Sequence, residues 1–202
     1  MMLQSLYGIL QSIGATSSIC DILAHCLLYQ ACKRKSTIDI IDFDEVARDY
    51  QNKTGAKETP SSVDAITVNK QCDKLILIEK KTWYQFYQHF GQDKSVIDEK
   101  VNEYKQTLNE KYNSTNQILC FYLSLQLNEL EKLPKIYIWT TEIDGQDDPT
   151  EGFATMIAVL ANCNIANEVR AYTVRAMQNA VKDIPLCVYV PCKEFDNYVA
   201  NL

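Results

Sequence analysis

The spacing of apolar residues along the chain predicts alternating helical and strand-like segments. Apolar residues recurring every three to four positions predict helices at 2–13, 18–35, 45–51, 95–112, 151–161 and 167–182. Either Ser17 or Ser18 can cap the second of these helices. Short runs rich in β-branched and aromatic residues predict strands at 37–43, 63–68, 75–80, 117–125, 135–141 and 186–190. The sequence therefore predicts an α/β protein.

Two of the predicted strands flank a polar hexapeptide, which indicates an antiparallel hairpin with a longer loop. If Val68 faces Leu75 in this hairpin, the same register places Asp64 opposite Glu79, with their Cβ atoms about 5 Å apart. Lys81 lies on the same face, about 6.6 Å further along the strand. The second strand is apolar on both faces before Glu79, which is typical of a central, covered strand. Two carboxylates and a lysine are thus expected at one rigid end of the hairpin.

This set of side chains suits the hydrolysis of phosphodiesters. Two neighbouring carboxylates repel each other, and a hard divalent cation allows both to stay ionised. Mg²⁺ prefers oxygen ligands and often uses only one or two protein carboxylates together with substrate phosphate. A lysine beside the ion can orient or help deprotonate the attacking water and stabilise charge on the phosphoryl group. The alternative is a surface hairpin whose charges simply pair across the strands.

The pattern of Asp64, fourteen intervening residues and then Glu79-Lys80-Lys81 resembles the PD-(D/E)XK superfamily of restriction-endonuclease-like nucleases. The resemblance covers about residues 45–125. It departs from the family at Val63, where Pro is usual, and at Lys80, where an apolar residue is usual. A basic side chain at Lys80 would point to the opposite face of the sheet.

The resemblance implies a restriction-endonuclease-like αβββαβ core, in which helices flank a central mixed sheet, with additional N-terminal and C-terminal helices. It also implies that Asp64 and Glu79 bind Mg²⁺ or Mn²⁺, with the Lys80 carbonyl as a third ligand. Lys81 would then act on the attacking water. Such a protein would be a metal-dependent endonuclease that cuts DNA with a Mg-activated water, and host defence or a mobile element is a typical setting by analogy.

Two further groups of residues carry competing interpretations. The superfamily often adds an acid from a preceding helix, and Glu45 is the candidate, although Asp42 and Glu45 also match a helix N-cap followed by a glutamate at the third position. Lys80, Trp83 and Tyr84 begin a basic and aromatic run that could contact nucleic acid by stacking. The same aromatic residues could equally form the half-buried edge of a core.

Length and composition favour one domain over residues 1–202, since 202 residues suffice for one hydrophobic core. Its core would span about 37–142, with a helical N-terminal extension over 1–36 and a helical and strand extension over 150–202. The first basic residue is Lys33, so no secretion signal is recognised. Without a secretion signal or a membrane-spanning segment, a cytoplasmic protein is expected, and the eight cysteines are expected to be free thiols.

The charge balance qualifies the proposed DNA substrate. The chain has 20 Lys and Arg residues against 26 Asp and Glu residues, a net charge of −6. A protein that binds DNA through its overall field should be basic, so any contact with DNA must come from a local patch. The charge therefore favours the alternative of a catalytically inactive relative that serves as a binding or scaffold subunit of a larger complex. A homodimer or a partner subunit would fit either function.

Overall fold

The computed structural model describes residues 2–21, 35–81, 94–141, 172 and 175–202. The predicted helix over 151–161 lies outside the described residues, as do most of the predicted helix over 18–35 and part of the predicted helix over 167–182. The described chain is a mixed α/β structure with a six-stranded sheet and helices.

The helices and strands largely follow the predicted segments. The helices are α1 (Met2–Gln11), α2 (Phe43–Thr54), α3 (Lys94–Leu123), α4 (Leu127–Leu130) and α5 (Phe195–Ala200), and residues 175–181 are also helical. The strands are β1 (Thr16–Ser18), β2 (Asp39–Asp42), β3 (Ala65–Val68), β4 (Leu75–Lys81), β5 (Lys135–Thr141) and β6 (Cys187–Tyr189).

The strands lie in the sheet in the order in which they occur in the chain. The pairs β1–β2, β2–β3 and β3–β4 are antiparallel, whereas β4–β5 and β5–β6 are parallel. Strand β4 is therefore central, between an antiparallel and a parallel neighbour. Helix α3 belongs to the connection between the two parallel strands β4 and β5, as parallel pairing requires.

Helices pack on both faces of the sheet. Alternate residues of β4 therefore belong to two separate apolar clusters. Leu75 and Leu77 join a cluster that includes buried residues of α1, α2, α3 and residues 175–181. Ile76 and Ile78 join the other cluster, with Phe195 of α5. The prediction of a central strand that is apolar on both faces is confirmed, and the end of β4 is held on a rigid, packed support.

The loop of the central hairpin is organised by one asparagine. The Asn69 backbone N–H donates to the Lys74 carbonyl, and its side-chain oxygen accepts from the backbone N–H groups of Asp73 and Lys74. Cys72 adopts φ 53°, a conformation that costs most residues strain but suits a tight turn. These bonds close the loop and set the register of β3 against β4.

The predicted strand at 117–125 is wrong, because these residues continue helix α3 to Leu123. Ile118 and Leu119 are buried while Gln117 and Phe121 are exposed, which is the burial pattern of a helix rather than the alternation of a strand. The β-prone residues are helical because this face packs into the apolar cluster beneath the sheet. Tertiary packing has overridden local propensity.

The N-terminal segment also differs from its prediction. Ser17 and Ser18 lie in strand β1, so neither caps a helix at that point. β1 extends the sheet at the edge of β2, so residues 1–36 contribute a strand as well as helix α1. Gly14, before this strand, allows a close approach, since a Cβ there would lie 2.6 Å from the Asp42 carbonyl oxygen.

Two sequence-based expectations concern the rest of the molecule. In the part of the chain that the structure describes, no helix is both long enough and apolar enough to cross a membrane. Four of the described cysteines are free thiols, as expected: Cys20, Cys72, Cys120 and Cys187.

Candidate active site

The hairpin register brings Asp64 and Glu79 together. β3 and β4 pair Val68 with Leu75 and Ala65 with Ile78, as predicted, and the next pair in this register is Asp64 and Glu79. The contact is fixed by a hydrogen bond of 2.8 Å from the Lys80 backbone N–H to Asp64 Oδ2. The Asp64 carbonyl also accepts from the Phe43 backbone N–H, which ties this point to the start of α2.

A lysine from helix α3 bridges the two carboxylates. The Lys111 ammonium lies 2.8 Å from both Glu79 Oε1 and Glu79 Oε2, and 3.2 Å from Asp64 Oδ1. The Glu79 side chain is fully buried, and those of Lys111 and Asp64 are 16% and 17% exposed. The two carboxylates are thus close enough to share one cation, and in this structure the shared cation is an ammonium group.

Burial and the neighbouring lysines act in opposite directions on the pKa of Glu79. Burial and the neighbouring charge of Asp64 raise the pKa of Glu79 to about 7, although Lys111 and Lys81 both lower it. Burial lowers the pKa of Lys111, but the two carboxylates together raise it by more, so Lys111 remains a cation. The pKa of Glu79 thus lies well above the ordinary value of a glutamate, close to neutral pH.

Lys81 lies at the same end of β4 as Glu79 and on the same face. Its ammonium sits over the ring of Tyr104, 5.4 Å from the centroid, a cation–π contact. The Tyr104 hydroxyl donates to Glu79 Oε1 at 3.3 Å. Tyr104 thus touches both Glu79 and Lys81, so it fixes their relative positions.

The side chain of Lys80 points away from this group, as expected for the residue between Glu79 and Lys81. It is 1% exposed, and its ammonium donates to the Ile19 carbonyl at 2.7 Å on the other face of the sheet. Its assignment to nucleic-acid contact is therefore corrected, because a buried side chain offers no surface to a nucleic acid. Its carbonyl as a metal ligand stays a prediction.

The remaining residues predicted for the site are Glu45, Trp83 and Tyr84. Glu45 uses its carboxylate to accept the Ala15 backbone N–H at 2.5 Å. Asp42 caps α2 by accepting the Asp44 backbone N–H, as the capping interpretation predicted. The Asp42 backbone N–H donates to the Ala15 carbonyl, so Glu45 and Asp42 both bind Ala15. Trp83 and Tyr84 lie outside the described residues.

Sequence reasoning missed three residues of this site. Partial burial raises the pKa of Asp44, and the charge of Asp64 raises it further, so Asp44 is the acid of α2 that interacts with the site. Lys111 and Tyr104 come from α3. Lys111 follows Tyr104 by seven positions and Leu108 by three, so it continues the apolar stripe that faces the sheet. The sequence feature that could have identified Lys111 is the presence of a lysine within that apolar stripe.

The chemistry of the residues in this site suits a hard divalent cation. Asp64 and Glu79 offer carboxylate oxygens to one point, and Mg²⁺ needs only one or two protein carboxylates when water and substrate complete its shell. Among the residues that the structure describes, no group of three or more His, Cys, Asp or Glu side chains could hold a metal ion. The fit therefore rests on the two carboxylates and, as a prediction, the Lys80 carbonyl.

Comparison with known proteins assigns no family. No known protein family, curated protein or solved structure matches this chain significantly. A functional assignment therefore has to come from the geometry of the site itself.

Proposed function

We propose that this protein is a metal-dependent nuclease of the PD-(D/E)XK type, which hydrolyses phosphodiester bonds in DNA with Mg²⁺ or Mn²⁺. The observation that carries the proposal is the convergence of Asp64 and Glu79 on one cation, with Lys81 on the same face of the central strand. The packed sheet holds these groups in position, which catalysis by positioning requires.

The order of the elements supports the same proposal. Strands β2, β3 and β4, then helix α3, then strand β5 follow the order of the βββαβ part of the implied αβββαβ core, and their sheet is mixed. Helix α2 is interposed between β2 and β3, which is a departure from that order. The element carrying the proposed Glu-X-Lys group is nevertheless the central strand.

Each residue has a role in this proposal. Asp64 and Glu79, with the Lys80 carbonyl, would hold the divalent cation, which when bound polarises the phosphate and activates water. Lys81 would orient the attacking water or accept its proton, and its charge would stabilise negative charge on the phosphoryl oxygens. Glu45 or its neighbour Asp44 would supply the additional acid, and the nearby charge of Asp64 favours Asp44.

A second candidate function is a catalytically inactive binding or scaffold subunit. The specific observation in its favour is Lys111, whose ammonium bridges both carboxylates without a metal. The net charge of −6 also favours it, since the chain as a whole does not attract DNA.

Cleavage assays separate the two candidates. We expect the wild-type protein to cut plasmid or single-stranded DNA with Mg²⁺ or Mn²⁺ and not with EDTA. Asp64→Asn and Glu79→Gln should abolish cutting, and Lys81→Met should slow it by about 10²-fold or more. Glu103→Gln, at an exposed position of α3, and Lys105→Met, which pairs with Asp183, are the matched controls and should cut like wild type.

The opposite result is equally informative. A wild-type protein that cuts neither substrate, and whose melting temperature no divalent cation shifts, would exclude the nuclease and favour the scaffold subunit. Circular dichroism of each variant would confirm that a loss of cutting is not a loss of folding.

A further inference from the structure

Lys111 occupies the position that the proposed metal ion would need. Its ammonium contacts Glu79 Oε1, Glu79 Oε2 and Asp64 Oδ1, which are oxygens that face the shared point between the carboxylates. The lysine comes from a different element, helix α3, and 32 residues separate it from Glu79. It is therefore a tertiary contact and not a local pairing within the hairpin.

Two cations cannot use these oxygens at once. An ammonium requires N···O distances near 2.8 Å, whereas Mg²⁺ requires oxygens at 2.0–2.1 Å, so both cannot be accommodated between the same two carboxylates. A monovalent and a divalent cation held together in so buried a place would also repel each other strongly. The lysine has a four-carbon flexible stem and can swing out of the site without movement of the helix.

On the basis of the metal site proposed above, we infer that the Lys111 ammonium and a divalent cation are mutually exclusive occupants of the site. Lys111 is an internal counter-ion that keeps Asp64 and Glu79 paired when metal is scarce. It must leave the carboxylates before metal can bind. Lys111 is thus a positioning residue that sets the metal concentration at which the site becomes loaded.

The charges around the site agree with this role. Asp44, Asp64 and Glu79 provide acidic groups, and Lys81 is held over the Tyr104 ring. Among the ion pairs of the described residues, those of Asp64 and Glu79 are both made with Lys111. Removing Lys111 would therefore leave two neighbouring carboxylates whose charge a proton or another cation would have to balance.

Direct metal binding is the first test. Isothermal titration of the full chain with Mn²⁺ should give a dissociation constant about tenfold or more lower for Lys111→Met than for wild type, because metal no longer competes with the lysine. Lys105→Met is the matched control on the same helix, since Lys105 makes its ion pair with Asp183 and not with Asp64 or Glu79. It should bind Mn²⁺ like wild type.

A second test uses the wild-type chain and so does not depend on the folding of a variant. Lysine acetylation followed by peptide mass spectrometry should modify Lys111 slowly in EDTA, where its ammonium is paired and 16% exposed. Saturating Mn²⁺ should speed the acetylation of Lys111 several-fold. The rate at Lys105 in the same protein should not change.

The outcomes separate this inference from the proposed function. Mn²⁺ binding that is no tighter in Lys111→Met, with unchanged acetylation of Lys111, would overturn the competition and leave the metal site standing. If Mn²⁺ binds to Lys111→Met but not to the wild type, the competition is supported in its strongest form, because the lysine then excludes the metal from the wild-type site. An absence of binding in both proteins would overturn the proposed metal site and the competition with it.

Discussion

Glu79 is the residue at which burial and charge oppose each other most directly. It is fully buried, accepts hydrogen bonds from Lys111 and Tyr104, and lies beside Asp64. A buried carboxylate of this kind is maintained only by its partners, since removing one of them leaves an uncompensated charge. The chemistry of the site therefore depends on how this single group is neutralised, by a proton, an ammonium or a metal.

The raised pKa of Glu79 predicts a stability that depends on pH. Its pKa is raised from 4.5 to about 7 in the folded protein, so between these values the folded state holds a proton that the unfolded chain has released. The stabilisation of the folded state by this extra proton is present in full below about pH 4.5 and is lost as the pH rises to about 7. In EDTA, Glu79→Gln should therefore gain stability relative to wild type by roughly 2–3 kcal/mol between pH 5 and pH 8.

Urea denaturation across this range measures the difference. The groups that face Glu79 are Asp64 from the hairpin, Lys111 and Tyr104 from α3, and Lys81 from β4. The exposed control Glu103→Gln should follow the wild-type curve. A Glu79→Gln curve that runs parallel to wild type at every pH would contradict the raised pKa.

The hairpin part of the site was predictable from sequence, because strand pairing has a period of two and a single register fixes every opposed pair. Asp64 and Glu79 followed from that rule. Lys111 did not, because its contact depends on how α3 docks on the sheet, and no local rule supplies that geometry. Asp44 was not identified for a related reason, since a helix of unknown rotation can present either of two adjacent acids, Asp44 or Glu45.

At the scale of elements, α3 is the largest difference between expectation and structure. Its last third contains Ile118, Cys120 and Phe121, residue types that are common in strands. The segment is nevertheless helical because it completes the apolar face that begins at Ile97. At its buried face it also provides Thr115, whose hydroxyl accepts the Val63 backbone N–H and so supports the start of the hairpin. The residue types at 117–125 alone could not distinguish an amphipathic strand from a continuation of the helix.

The helical state of this segment can be tested at one exposed position. Gln117 is exposed within α3, so Gln117→Ala should be more stable than Gln117→Thr by about 0.5 kcal/mol, because alanine has the higher helix propensity. A strand would give the reverse order, since threonine favours strands. Chemical denaturation of both variants provides the comparison.

Thr16 supplies the matched control, since it is exposed in strand β1. Thr16→Ala should lower the stability of the protein, in contrast to the gain expected from alanine over threonine at position 117. A Gln117→Thr variant more stable than Gln117→Ala would indicate that residues 117–125 are not helical.

At the scale of the whole molecule, the C-terminal helix is joined to the segment that enters β2. Asp196 of α5 accepts hydrogen bonds from the Ser36 hydroxyl at 2.5 Å, the Thr37 backbone N–H at 2.7 Å and the Thr37 hydroxyl at 3.0 Å. Phe195 and Val199 on the same helix are buried in the second apolar cluster. Residues far apart in sequence thus close one face of the sheet together.

This connection predicts a global effect from a single substitution. Asp196→Ala removes the acceptor of all three hydrogen bonds, and we expect a loss of about 1–3 kcal/mol in the free energy of unfolding. Asn197→Ala, at the adjacent exposed position, should cost less than 1 kcal/mol. Equal losses in the two variants, measured by thermal and urea denaturation, would show that the Asp196 bonds do not stabilise the fold.

The placement of Lys111 on α3 also has a consequence for how the protein is made. Ribosomes release a chain from its N-terminus, so the hairpin with Asp64 and Glu79 emerges before the helix that neutralises it and before β5, which pairs with β4. During that interval the two carboxylates remain hydrated and the apolar strand lacks its parallel neighbour. The hairpin of the nascent chain therefore stays accessible to proteases and chaperones until α3 and β5 have emerged, and slow translation of residues 82–141 would lengthen that exposure.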